Sequence, residues 1–213
     1  MQFLPEKIDD YAVNHTEKEP KLLQELSKET WQKILIPRML SGHYQGRLLA
    51  MLSKIIHPKV ILEIGTYTGY SALCLAEGLH KNGILHTIDI NEELLDFQKK
   101  YFDKSAYKDQ IKQYLGNALD IIPTLKDTFD LVFIDADKPN YSNYFYAIID
   151  KMTTGGIIIS DNVLWSGKVT EVVNEKDIST TELIKYNTLL KEDPRIETVL
   201  LPIRDGLTVS RVI

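Results

Sequence analysis

The segment FIDADKPNYSNYF, Phe133 to Phe145, carries an apolar run straight into two carboxylates and an ammonium: Asp135, Asp137 and Lys138. A second apolar run, GGIIIS, ends the same way in Asp161 and Asn162. Runs of this kind read as strands buried on both faces, so the polar groups at their tips need a use. In sheets covered by helices, ligands gather beyond the carboxyl ends of the strands. Neighbouring tips would bring two carboxylates and one amide oxygen together. That hard oxygen set suits Mg²⁺ or another divalent cation such as Mn²⁺ or Ca²⁺. Asp135 and Asp161 are also readable as separate helix caps or loop carboxylates. Lys138, three residues after Asp135, reads either as a catalytic cation or as a solvated surface lysine.

A second constellation lies upstream. VILEIGTYTGYSALCLA places Glu63, Gly65 and Gly69 just after the first strand. Glycines there permit a tight turn and close approach of a ligand where a helix opens. The spacing is G-x-x-x-G, neither the dinucleotide fingerprint nor a P-loop, which disfavours a pyrophosphate and favours a ligand with a smaller charged tail. Asp89 ends the second strand in LHTIDI. A carboxylate at that place can accept hydrogen bonds from ribose hydroxyls, or cap the following helix.

These tips require a scaffold, and the rest of the chain supplies its pattern. From Pro58 onward, apolar runs at Val60–Ile64, Ile84–Ile88, Phe129–Ile134 and Gly156–Ser160 alternate with helix-length segments at Ser71–Leu79, Glu92–Phe102 and Tyr141–Met152. Ile111–Leu115 is a weaker strand candidate before GNALDIIPTL. Alternation of this kind predicts an α/β fold with a parallel sheet covered on both faces. Thr198–Ile203 and Leu207–Ile213, joined by RDG, read as a terminal hairpin. Residues 1–57 read as helical, with IPRMLSGHYQG as a loop between two amphipathic helices. One domain of residues 1–213 is expected, with a helical segment 1–57 and an α/β core 58–213. The polar stretch Thr170–Thr181 is the candidate mobile loop.

Composition narrows the partners. A net charge of −5 exerts no general pull on nucleic acid or anionic membrane. One cysteine, Cys74, excludes an internal disulfide and suits a reducing compartment. MQFLPEKIDDY lacks the basic and apolar regions of a signal peptide, and no apolar run approaches the roughly 20 residues that span a bilayer. A cytoplasmic, soluble protein is the expectation.

Taken in order, LEIGTYTGYS, TIDINEE, GNALDIIP, FDLVFIDADKPNY and GGIIISDNVLWSGKV resemble the S-adenosylmethionine- and divalent-cation-dependent O-methyltransferases of the catechol and caffeoyl-CoA type. The resemblance covers about residues 36 to 213. It implies a class I methyltransferase fold, Rossmann-like, doubly wound and mostly parallel, with seven strands, an antiparallel last strand and extra N-terminal helices. It implies metal ligands at Asp135, Asp161 and Asn162, with Asp135 and Lys138 as catalytic residues and Lys138 as the general base. For the cofactor it implies Glu63, Gly65, Thr66 and Ser41 at the methionine end and Ser71 at its carboxylate. Asp89 would hold the ribose, the Ala118 backbone the adenine edge, and Asp135 and Asp137 would be further contacts. A homodimer is implied as well.

Methyl transfer from a sulfonium to oxygen is an in-line displacement, so positioning and activation of the hydroxyl carry most of the catalysis. The expected activity is transfer of a methyl group to a small catechol-like aromatic diol. Some relatives of this family methylate a hydroxylated uridine in tRNA, and Arg38, Arg47, Lys168, Arg195 and Arg204 would have to gather at the cleft for that. A cofactor-binding regulatory module is a third reading, in which a metal set and Lys138 would have no purpose. Trp165 reads as a wall for an aromatic substrate or as packing. Tyr141 and Tyr144, at helical spacing, read as packing, and Cys74 as buried core. None of the five histidines has metal-ligand spacing, and His43 alone is expected near the cofactor mouth.

Overall fold

Alternating β-branched runs and amphipathic helices need a surface buried on both sides, and the chain builds one. The computed structural model describes residues 5–174 and 176–213. Residues 1–4, the start of the segment read for a signal peptide, lie outside the described residues, as does Glu175 within the polar stretch 170–181. The strands are β1 (Val60–Ile64), β2 (Ile84–Asp89), β3 (Ile111–Leu115), β4 (Phe129–Ile134), β5 (Met152–Asp161), β6 (Ile196–Leu201) and β7 (Leu207–Val212). They form one sheet in the order β3-β2-β1-β4-β5-β7-β6. The β1–β2, β1–β4, β2–β3 and β4–β5 pairs are parallel, whereas β7 runs antiparallel to both β5 and β6. This is the seven-stranded sheet expected, with the terminal hairpin at one edge.

The helices are α1 (Glu6–Asn14), α2 (Lys21–Lys33), α3 (Gly42–Ile56), α4 (Tyr70–Ala76), α5 (Leu95–Lys104), α6 (Ala118–Ile121), α7 (Tyr141–Ile149) and α8 (Ile178–Glu192). Side chains alternate across the sheet and divide the core in two. Leu62, Ile64, Val132, Ile134 and Ile158 pack with α7 and α8 residues such as Phe145 and Tyr186. Ile61, Leu131, Phe133 and Ile159 pack on the other face with α2 to α5, through Leu26, Leu49, Leu73 and Phe102. Leu26 and Leu49 are fully buried, each worth about 1.5–3 kcal/mol relative to exposure. The tyrosine hydroxyls of Tyr70 and Tyr101 donate to Glu19 and Glu29, fastening the N-terminal helices to the core.

Several boundaries differ from the sequence reading. The stretch read as a loop to Gly46 is helical from Gly42, because Gly46 allows the Tyr70 ring against its backbone; a Cβ there would lie 2.6 Å from that ring. The helix expected to reach Leu79 ends at Ala76, and Gly78 then lies against the α3 backbone, its virtual Cβ 2.1 Å from the Ser53 carbonyl carbon. Residues 92–94 form a 3₁₀ turn ahead of α5, capped by the Asn91 side chain. Tyr141–Met152 is helical only to Ile149, and β5 begins at Met152, with a register irregularity opposite Phe129 and Leu131. Strand β6 stops at Leu201, since Pro202 has no N–H for the ladder.

Candidate active site

Strand order reverses between β1 and β4, where a doubly wound sheet leaves a crevice at its tips. The tip of β1 is stitched to both neighbours: the Gly65 N–H donates to Ile88 O of β2, and the Asp135 N–H beyond β4 donates to Ile64 O, each at 2.9 Å. Gly65 has φ +99°, and a Cβ on it would fall 2.0 Å from the Asp135 carbonyl oxygen. Glycine is therefore required for the two loops to touch. Two residues earlier, the Glu63 side chain is fully buried and accepts from the Thr87 hydroxyl. Its Oε1 has no partner. Burial pushes its pKa up to about 8, the Ser71 and Thr87 hydroxyls oppose that rise, and the charges of Asp135 and Asp89 add to it. A buried carboxyl oxygen without a donor fits the ammonium end of an amino-acid ligand.

The neighbouring groups arrange themselves around this pocket floor. Thr66 shares a hydrogen bond of 2.5 Å with Thr87. Asp89 accepts from the Tyr67 N–H at 2.6 Å and the Asn91 N–H at 2.8 Å, so it closes a local turn while both oxygens retain lone pairs. Ala118 opens α6 behind the Asn117 cap, whose side chain accepts from the Leu119 N–H. Ser41 is buried at the start of α3, its carbonyl accepting from Arg204. Asp137 is exposed, with its oxygens engaged by the Tyr144 hydroxyl and by Asn140 Nδ2.

Register places the second carboxylate beside the first. Ile134 pairs with Ser160, so Asp135 and Asp161 follow side by side on β4 and β5. Asp161 is buried; its Oδ2 accepts from Gln45 Nε2 at 2.6 Å and its Oδ1 from the Asn162 N–H at 2.7 Å. Its pKa rises to about 7, from burial first and then from the charge of Asp135, with Gln45, Lys138 and Arg204 pulling the other way. Burial and the Asp135 charge both disfavour the ionised form of Asp161, and a hard cation beside it would relieve both. Asn162, at φ +58°, follows directly and is half-buried. Among the described residues no group of three or more His, Cys, Asp or Glu could hold a metal ion.

Lys138 is buried and turned into this pair. Its Nζ lies 3.3 Å from Asp135 Oδ1 and donates to the Tyr141 hydroxyl at 2.6 Å. That hydroxyl donates in turn to Asp161 O at 2.8 Å. The Trp165 ring stands 5.8 Å from Lys138 Nζ and packs, partly buried, against the core under α7 and α8. Sequence reasoning missed two participants, Tyr141 and Gln45, both fully buried, and named Arg204 only as a cation for an RNA partner. Tyr141 had a signal, since it repeats the three-residue step from Asp135 to Lys138. Gln45 had none, being 116 residues before Asp161 in a chain that brings them together only by folding.

Three of the five cations named for an RNA partner are held in ion pairs. Arg47 pairs with Glu77, Lys168 with Asp177, and Arg195 with Asp193 and Asp150. Arg195 precedes β6, at the sheet end opposite the carboxylates, whereas Arg204, in the β6–β7 turn, lies at the site. Cys74 is buried, its thiol pushed by burial up to about 12. His43 bonds to the Glu17 carbonyl at 2.7 Å. Among the described residues no helix is long and apolar enough to cross a membrane.

An antiparallel strand inserted beside β5, together with acid-lined tips on β1, β2, β4 and β5, defines a class I methyltransferase. A sequence profile of the O-methyltransferase family matches residues 13–213. Caffeoyl-CoA O-methyltransferase 5 of Nicotiana tabacum is 36% identical over 208 residues, covering 91% of this chain and 85% of its own. The S-adenosylhomocysteine-bound methyltransferase PaMTH1 of Podospora anserina superposes with a TM-score of 0.89 at 29% identity, covering 100% of this chain and 99% of its own. An O-methyltransferase of Bacillus cereus in complex with the same compound gives 0.89 at 28% identity, covering 97% of each chain. The chain belongs to the O-methyltransferase family, and it is an S-adenosylmethionine-dependent enzyme of the caffeoyl-CoA O-methyltransferase type.

Proposed function

We propose that this enzyme transfers a methyl group from S-adenosylmethionine to one hydroxyl of a small catechol-like aromatic, assisted by Mg²⁺ or a similar divalent cation. The adjacent carboxylates of Asp135 and Asp161, with Lys138 turned between them and Trp165, carry this reading. A cation bound by Asp135, Asp161 and Asn162 would supply charge to stabilise a phenolate and would fix two neighbouring hydroxyls in direction. The residues present fit that ion, because its charge offsets the burial and repulsion that raise Asp161.

The chain's own groups have the following work. Glu63 accepts from the amino group of the methyl donor with its otherwise unpartnered oxygen, and Gly65 and Thr66 let the donor lie against the backbone. Ser71 and Ser41 hold the amino-acid moiety, Asp89 the ribose hydroxyls and Ala118 the adenine edge, with Asp137 and the Asp135 backbone as outer contacts. Lys138, held by Asp135 and Tyr141, faces the acceptor oxygen, takes its proton or stabilises the resulting phenolate, and thereby readies the in-line attack. Holding the two reactants in line supplies the rest. The whole chain acts as one domain, and the reading extends to a cytoplasmic homodimer.

The test is a screen with methyl-labelled cofactor against catechol, caffeoyl esters and bulk tRNA, with and without chelator. Label should pass to a catechol or caffeoyl acceptor, stop with EDTA and return with Mg²⁺. Full turnover in chelator would overturn the cation's role, and transfer to tRNA alone would replace the acceptor.

A further inference from the structure

We infer that Gln45 is a positioning residue for the cation site, and that Arg204 sets which way its amide faces. The inference rests on the cation reading above and adds to it two residues from outside the strand tips. Gln45 sits in the first turns of α3 with its side chain fully buried, so water cannot substitute for its partners. Its Nε2 donates to Asp161 Oδ2 at 2.6 Å, and its Oε1 accepts from Arg204 Nη1 at 3.2 Å.

The chemistry of the three groups allows only this order. A guanidinium has donors and no acceptor, whereas a carboxylate has acceptors and no donor. The amide between them must therefore turn its oxygen to Arg204 and its nitrogen to Asp161. Arg204 is itself held, since the same Nη1 donates to the carbonyls of Leu40, at 3.3 Å, and Ser41. Its backbone, at φ +51° in the turn between β6 and β7, directs the side chain back over α3. Asp161 Oδ1 is held separately by the Asn162 N–H at 2.7 Å. Both Asp161 oxygens thus have one lone pair committed to a fixed donor, which locks the plane of the carboxylate. Each oxygen keeps a second lone pair, and Asp135 stands alongside at the tip of the adjacent strand. Ligating carboxylates positioned by outer partners in this way lose cation affinity when the partner is removed, although the partner never touches the ion.

The experiment uses the full-length protein with Mn²⁺ as the probe, free ion being read by electron paramagnetic resonance. Affinity for S-adenosylhomocysteine and melting temperature are measured on the same samples. Gln45→Met, which keeps volume and removes the donor, and Gln45→Ala should both weaken Mn²⁺ binding by about 10- to 100-fold. S-adenosylhomocysteine affinity should be unchanged in Gln45→Met. Arg204→Met should weaken Mn²⁺ binding by a smaller factor, because the amide remains but is free to turn. Asp161→Asn is the reference and should lose most of the affinity. Wild-type Mn²⁺ binding by Gln45→Met beside a weakened Asp161→Asn would overturn the role of Gln45 while leaving the cation site standing. Wild-type binding by Asp161→Asn would overturn the cation site and the inference with it. A parallel fall in Mn²⁺ affinity, S-adenosylhomocysteine affinity and melting temperature in Gln45→Met would assign Gln45 to packing and overturn the inference as well.

Discussion

The two ends of the same parallel strands use carboxylates in opposite ways. At the amino end, Asp130 on β4 accepts from the Lys59 N–H at 2.8 Å, the Val60 N–H at 3.1 Å and the Thr153 hydroxyl at 3.0 Å. Both of its oxygens are bound to donors, and it clamps the entrance of β1 to β4 and β5. At the carboxyl end, Glu63, Asp135 and Asp161 crowd together with fewer donors; one Glu63 oxygen has no partner, and Asp161 is raised by burial first and then by its neighbour's charge. A carboxylate satisfied by backbone donors stabilises the fold. Buried carboxylates left short of donors cost stability until a ligand arrives, and that deficit marks a functional site.

The difference can be broken from either end. The largest effect belongs to Lys138→Ala, which should lower kcat by about 10² to 10⁴ while S-adenosylhomocysteine affinity, measured by calorimetry, stays near wild type. Equal loss of both would make Lys138 a structural residue. Gly65→Ala comes next. Its Cβ would lie 2.0 Å from the Asp135 carbonyl, so the two tips must part. Calorimetry should find cofactor binding lost, and an alanine variant with wild-type affinity would contradict the close approach.

The third test reads the deficit directly as pH dependence. Glu63 is raised from its ordinary 4.5 to about 8 in the folded protein. Below pH 4.5 both folded and unfolded chains hold the proton, so the group is neutral in its effect. Between 4.5 and 8 the unfolded chain gives up the proton more readily, so stability falls as pH rises through that window, by at most about 5 kcal/mol. The rise of Asp161 acts in the same direction. Urea unfolding of the unliganded protein at pH 5 and pH 8 should show the fall, and Glu63→Gln should flatten it. The smallest effect is at the other end: Asp130→Ala strands two N–H groups and should cost about 1–3 kcal/mol in urea, with kcat per folded molecule unchanged.

Local pattern made most of the scaffold legible. The runs that became β1, β4 and β7 were placed within a residue or so, because apolar alternation and bracketing glycines are written in adjacent positions. The carboxylates could be read for a related reason: a charged residue directly after an apolar strand has few places to go but the sheet's tip. The helical HYQG turn was misread, since Gly42 and Gly46 weigh against a helix and only the Tyr70 ring packed on Gly46 compensates. Asp89 shows both of its readings at once, closing a turn and keeping lone pairs for a ligand.

By itself, then, the sequence determined the strands, their polar tips and the ordered motifs that resemble the family, because each depends on residues close together in the chain. Tertiary structure alone decided that Asp135 and Asp161 stand on neighbouring strands, that Tyr141 links Lys138 to the Asp161 backbone, and that Gln45 reaches across 116 residues to Asp161. The physical reason is that strand order and helix docking follow from summed burial over the whole core, and no short stretch of sequence contains that sum.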